Sequence, residues 1–135
     1  MQIKTTTDYA IRAITCLASN GNSMCSADIA EHMGIPPKYL INIMVTLRAA
    51  GIIASRKGAE GGYYLDIDPR DLTLWQVIQA MESTTKLNHC LEDDTCCSHY
   101  SRDTIGSCPT RQLYVKAQQA LEESLNVPIA EIVED

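Results

Sequence analysis

The run Gly34-Ile35-Pro36-Pro37 constrains the fold of this 135-residue chain more than any other. Glycine accepts the left-handed conformation that stops a helix. Pro37 suits the first turn of a new helix, where its missing N–H would go unpaired anyway. The run therefore predicts a sharp break between two helices. Upstream, Ser26 is placed to cap a short helix with Ile29, Ala30 and Met33 inward. Downstream, Leu40, Ile43, Met44 and Leu47 recur at helical spacing and predict one buried stripe on a helix over residues 37–50, ended by Gly51. Its opposite side centres on Lys38, Asn42, Val45 and Ala49, flanked by Tyr39 and Thr46. Two helices joined by a glycine-containing turn make a helix-turn-helix. The thin, mostly uncharged outer face of the second helix can enter a major groove without repelling phosphates.

The neighbouring segments extend this unit. Thr7 is placed to cap a helix over residues 8–19, with Ile11, Ile14, Leu17 and Ala18 inward and Asn20-Gly21-Asn22 as its closing turn. Residues 52–56 and 63–67 read as short strands around a glycine-rich turn, a wing with Arg56 at its base and Lys57 at its tip. Thr73 caps a fourth helix carrying Leu74, Val77, Ile78 and Met81. A long fifth helix is predicted over residues 109–126, with Leu113, Ala117, Ala120, Leu121 and Leu125 on one side, and a short terminal helix over 128–133. The expected class is mainly α with a small β-wing. A winged helix-turn-helix domain spans 1–82, a cysteine-rich sensor loop 83–109, and a dimerisation helix with the short C-terminal helix 110–135. The fifth helix can fold back on its own core. Packed instead against its own copy, it makes a twofold homodimer whose reading helices are one DNA turn apart.

The net charge of −6 argues against nucleic acid only until it is divided by position. Residues 1–65 carry six cationic and four anionic side chains, a net +2, and residues 66–135 carry five against thirteen, a net −8. The first half remains eligible to bind double-stranded DNA. In that role Lys38, Tyr39, Asn42 and Thr46 meet base edges or adjacent phosphates, and Arg56 and Lys57 meet the backbone or a minor groove. Helix-turn-helix units also occur in enzymes and protein-binding domains, so the motif alone leaves that class open. No apolar run approaches the ~20 residues of a membrane span and no cleavable leader opens the chain, which predicts a cytoplasmic protein with no membrane partner.

Four of the six cysteines, Cys90, Cys96, Cys97 and Cys108, fall between Ser83 and Pro109, where no periodicity predicts helix or strand. Long irregular loops in compact domains are usually functional or mobile. Cys16 and Cys25 are expected to be inert core or near-core thiols. For the loop, thiolates can converge on an iron–sulfur cluster, bind zinc with His89 or His99, or form a thiol–disulfide switch. The lack of a C-x-x-C pair counts against zinc and against a thiol oxidoreductase. Asp93 and Asp94 disfavour a reactive naked thiolate.

Together these residues carry a resemblance. Thr7-Asp8-Tyr9-Ala10-Ile11-Arg12-Ala13, Ile29-Ala30-Glu31, Tyr39-Leu40, Leu47-Arg48, Gly61-Gly62-Tyr63 and Ile129-Ala130-Glu131-Ile132-Val133 make the chain similar to the IscR/NsrR family of bacterial winged-helix regulators. The resemblance implies a homodimeric transcription factor whose long C-terminal helices cross at the dimer interface. It implies an iron–sulfur cluster, of two-iron or four-iron type, on Cys90, Cys96 (less readily Cys97) and Cys108, sensing redox, nitric oxide or iron status. Eleven residues separate Cys96 from Cys108, more than the family's usual gap, and Arg111 stands where the IscR branch has histidine. Asp8 then matches the acidic fourth ligand of the nitric-oxide-sensing branch, given across the dimer. It is equally placed as a first-turn acid favoured by the helix dipole. Some members of the family carry no cluster.

Overall fold

The computed structural model describes residues 1–133. Its helices are α1 (Thr5–Asn20), α2 (Ser26–Met33), α3 (Pro37–Ala49), α4 (Leu74–Met81) and α5 (Pro109–Leu125), with strands β1 (Ile53–Arg56) and β2 (Gly62–Leu65) between α3 and α4. Short 3-10 helices cover His89–Leu91, Ile105–Ser107 and Ile129–Glu131. The chain divides into two units, one of Ile3–Ser83 with the segment from Asn126 on, the other of Thr84–Leu125 with Met1–Gln2.

In the first unit, the apolar stripes of α1, α2 and α3 meet as their spacing requires. Leu40, Ile43, Met44 and Leu47 are all buried, together with Ala10, Ala13, Ile14, Leu17 and Ile29. Gly34 closes α2 in the left-handed conformation at φ 65°. Thr73 caps α4 through a reciprocal box, accepting from the Gln76 backbone N–H at 3.2 Å while Gln76 Oε1 accepts from its own N–H at 2.9 Å. Trp75, outside the predicted α4 stripe, is also buried. The antiparallel hairpin pairs Ile53 with Leu65 and Arg56 with Gly62. Met24 joins it as an isolated bridge, exchanging backbone hydrogen bonds with Tyr63 at 2.9 and 2.7 Å. Gly62 is needed at this crossing, because at φ 143° any Cβ would run into the Met24 carbonyl.

Three expectations are corrected. Thr7 does not cap α1: the helix starts at Thr5, and the Thr7 hydroxyl is buried, donating at 2.9 Å to Glu82 Oε1. The same carboxylate oxygen accepts the Lys4 backbone N–H at 2.8 Å. A residue beyond α4 thus terminates α1, placing negative charge where a helix start favours it. Ser26 is the first residue of α2 and not its cap. Cys25 is the N-cap residue, and this half-in position leaves its thiol exposed, whereas Cys16 on the inner side of α1 is buried.

The terminal segment belongs to this first unit although it follows α5. The Ile129 N–H donates to the Leu72 carbonyl at 2.7 Å, the Leu74 N–H donates to the Val127 carbonyl at 2.9 Å, and Ile129 is fully buried.

The second unit is held differently. Gln118 of α5 is 5% exposed. Its Oε1 accepts the Leu87 N–H at 2.9 Å and its Nε2 donates to the Thr85 carbonyl at 2.7 Å. These bonds fix residues 85–87 along the helix, and Lys86 adds an ion pair to Glu122 at 3.6 Å.

Candidate nucleic-acid interface and thiol loop

On α3, the side away from the buried stripe is open. Lys38, Tyr39, Asn42, Thr46 and Ala49 are exposed, and Ile41 and Val45 are each 62% exposed. Thr46 Oγ1 donates to the Asn42 carbonyl at 3.1 Å, so this hydroxyl can meet a ligand only as an acceptor. Tyr39, Asn42 and Thr46 share a depression of about 220 Å³ with Lys4 and Thr6 from the start of α1. Arg56 ends β1, its guanidinium 4.6 Å from the Tyr64 ring centroid, and Lys57 begins the exposed turn of the wing.

Charge pairing separates these cations from the others of the unit. Lys4 pairs with Glu82, Arg12 with Asp8 and Arg70 with Asp68. Among the described residues, Lys38, Arg48, Arg56 and Lys57 have no carboxylate partner, and all lie on α3 or the wing. Unneutralised cations beside a protruding helix attract phosphates and displace counterions. The sequence singled out six residues of this surface as contacts, placed Val45 at the centre of its outer face, and missed Arg48 and Ile41. Arg48 was legible as the basic residue in the last turn of α3. Ile41 and Val45 supply exposed apolar contacts of the kind that meet a thymine methyl; Ile41 stands out only as an apolar residue off the buried stripe.

Asp8 lies in the first turn of α1 and accepts from Arg12 Nη2 at 3.0 Å. The Arg12 guanidinium is 5.3 Å from the Tyr9 ring centroid, the Tyr9 and Tyr39 rings are 6.1 Å apart, and Lys38 Nζ lies 5.0 Å from the Tyr39 centroid. A ladder of charge and ring contacts therefore runs from Asp8 to the exposed side of α3. Each exposed cation–ring contact contributes about 0.5–1 kcal/mol.

The four loop cysteines lie in the second unit, all as free thiols. Arg111 connects the first and last of them. Its backbone N–H donates to Cys108 Sγ at 3.4 Å, its Nε donates to the Cys90 carbonyl at 3.3 Å, and Nη2 reaches Asp94 at 3.2 Å. Asn88 Nδ2 donates to Cys90 Sγ at 3.3 Å. The neighbouring pair is unequal. Desolvation, then the charge of Asp93 and the nearby Cys90 thiol, raise the Cys96 pKa; backbone N–H groups of Tyr100 and His99 lower that of Cys97. Thiols receiving N–H donors and carried on an irregular segment suit soft iron in their chemistry. Among the described residues no three His, Cys, Asp or Glu side chains are gathered into a metal cage.

Comparisons with known proteins agree with this layout. The family model described as Rrf2, iron-dependent transcriptional regulator, matches residues 3–135. The protein rrf2 of Nitratidesulfovibrio vulgaris is 31% identical over 138 residues, covering 100% of this chain and 89% of that one. Among solved structures, IscR of T. potens superposes with a TM-score of 0.75 at 26% identity, over 98% of this chain and 85% of that one. CymR, the global cysteine regulator of B. subtilis, reaches 0.80 at 21% identity over 98% and 96%, a likeness of fold alone. No helix among the described residues is long and apolar enough to cross a membrane. With its winged helix, its unpaired cations on α3 and the wing, and a family match over nearly its whole length, the chain belongs to the Rrf2 family of bacterial DNA-binding transcriptional regulators.

Proposed function

We propose that this regulator acts in the cytoplasm as a homodimer whose affinity for a DNA operator is set by an iron–sulfur cluster on Cys90, Cys96 and Cys108, with the partner subunit's Asp8 as fourth ligand. The observation that carries the thiol part is the pair of bonds from Arg111 to Cys108 Sγ and to the Cys90 backbone, which ties the two ends of the cysteine segment together. When bound, such a cluster supplies reversible electron uptake and reactivity toward oxidants and nitric oxide. The chain's own residues do the rest. Arg111 orients Cys90 and Cys108, and Gln118 holds residues 85–87 in place. Lys38, Tyr39, Asn42, Thr46, Arg48, Arg56 and Lys57 bind DNA. Asp8 would be one holder of the cluster, and because it now pairs with Arg12 at 3.0 Å, its engagement there would leave Arg12 to the Tyr9, Tyr39 and Lys38 contacts of the DNA face.

Support for the homodimer comes from α5. Leu113 is 67% exposed, and Tyr114, Ala117 and Ala120 are exposed beside it, while Arg111, Val115, Gln118 and Glu122 face inward. A helix with its apolar residues outward needs a second surface, and an isologous contact between two copies provides one.

Anaerobic purification tests the cluster. The expected product is coloured and holds iron and sulfide, and Cys90→Ser or Cys108→Ser loses both. A colourless chain retaining one zinc overturns this part. DNA binding is tested separately, on duplexes selected from a random pool. There Lys38→Ala weakens binding and lowers the salt slope by about one.

A second function has its own support, since Cys96 and Cys97 are adjacent, differ in acidity and belong to no gathered cage among the described residues. In it the loop thiols form a metal-free redox switch. Iron-free protein whose DNA binding responds reversibly to oxidant and reductant selects it.

A further inference from the structure

A groove of about 750 Å³ lies between α1 and α2, and of the residues lining it only Arg12 enters the function proposed above. Sulfur lines much of it: Cys16 from α1, Met24 just before α2, and Met33 at the end of α2, with His32 alongside. Cys16 is 9% exposed, and its Sγ lies 3.7 Å from Met24 Sδ. A metal–thiolate bond of about 2.3 Å spaces two sulfurs of one tetrahedral shell about 3.8 Å apart. The Cys16 S–H···Sδ hydrogen bond to Met24 thus holds the two sulfurs at a separation that one ion could also span. Arg12 also borders the groove, and its charge is balanced by Asp8 at 3.0 Å while Nη1 donates to the Met33 carbonyl at 3.3 Å.

We propose that Cys16 and Met24, with Met33 and His32 bordering the same groove, form a soft-metal site distinct from the loop thiols, taking a monovalent ion of the Cu(I) type. Thiolate and thioether donors select this class over harder divalent ions. On binding, the Cys16 S–H bond breaks, its proton passes to solvent, and the sulfur lone pair forms the bond to the metal, with no change of oxidation state. Met24 gives the site a consequence for DNA binding. Its main chain exchanges both hydrogen bonds with Tyr63 of β2, so an ion held by its side chain stiffens the base of the wing.

The test uses the full chain carrying Cys25→Ser, Cys90→Ser, Cys96→Ser, Cys97→Ser and Cys108→Ser, so that no other thiol competes. Ag(I) serves as a redox-inert probe in native mass spectrometry, and Cu(I) is titrated against a chromogenic chelator. One ion per chain is expected. Met24→Leu, which keeps the side chain's bulk, should weaken binding by about 10–100-fold, the range over which disturbed metal shells are felt. Cys16→Ala should abolish it, with folding of both variants checked by their thermal transitions. Failure of the five-serine chain to bind one equivalent overturns the proposal. So does binding that Met24→Leu and Cys16→Ala leave unchanged.

Discussion

Among the described residues, all the buried apolar side chains except Ile105 lie in the winged-helix unit; the unit of residues 84–125 buries Ile105 and Gln118. The first is organised by close-packed Ile, Leu, Val, Met and Ala, the second by hydrogen bonds from Gln118 and Arg111 and by ion pairs. Apolar burial contributes about 25 cal/mol per Å², whereas a typical intramolecular hydrogen bond nets about 0.5–1.5 kcal/mol. The winged helix is thus held chiefly by its own apolar core. The thiol-bearing unit rests instead on a few polar contacts around Gln118 and Arg111.

The sharpest way to break this comparison is to cut matched leucines. Leu47→Ala in α3 opens a cavity in a fully buried site and should cost about 2–5 kcal/mol in chemical denaturation. Leu113→Ala in α5 should leave the unfolding of the winged helix unchanged and raise the dimer dissociation constant in sedimentation. A large loss of winged-helix stability from Leu113→Ala would show that the two units are not separately held.

A smaller effect is expected at Gln118. Gln118→Leu strands the Leu87 N–H and the Thr85 carbonyl, at about 1–3 kcal/mol for a buried group left unpaired. Amide exchange should accelerate at Leu87 and not at Leu47. Equal acceleration at both would refute a purely local role. In the first unit, Glu82→Ala removes the acceptor of the Thr7 hydroxyl and of the Lys4 N–H, and should destabilise it by about 1–2 kcal/mol, the scale of a lost helix cap. Hydrogen exchange at the start of α1 would report it.

The smallest effect concerns pH. Hydrogen bonds from Arg70 hold the Asp68 carboxyl down to about 2. Because the folded value lies below the unfolded one, near ~3.9, the contribution is present above about 4 and disappears as pH falls toward 2. Both groups are exposed, so the effect on stability is slight and the titration itself is the readout. In Arg70→Gln the Asp68 midpoint, followed by NMR, should return toward the ordinary carboxylate range; an unmoved midpoint would remove Arg70 as the cause.

Much of the winged helix was legible in the residues. The stripe Leu40, Ile43, Met44, Leu47, the stop at Gly34 and the box of Thr73 with Gln76 are local patterns, each written within a few turns of helix. The caps of α1 and α2 were misplaced for the opposite reason. Glu82 reaches the start of α1 from beyond α4, and nothing near Thr7 signals it. The outward orientation of Leu113, Ala117 and Ala120 was equally hidden, since periodicity finds an apolar side of a helix but not which way it faces.

By itself, then, the sequence determined the order and type of the main elements, the exposed face of α3, the wing, and the concentration of thiols before α5. These follow from backbone preferences and apolar spacing, which act over a few residues. Tertiary structure alone decided that Glu82 terminates α1, that Gln118 and Arg111 organise the cysteine segment, that Cys16 meets Met24, and that, among the described residues, the cations left unpaired in the winged-helix unit are those of α3 and the wing. Such contacts join residues distant in the chain, and packing selects them from many partners of equal local merit.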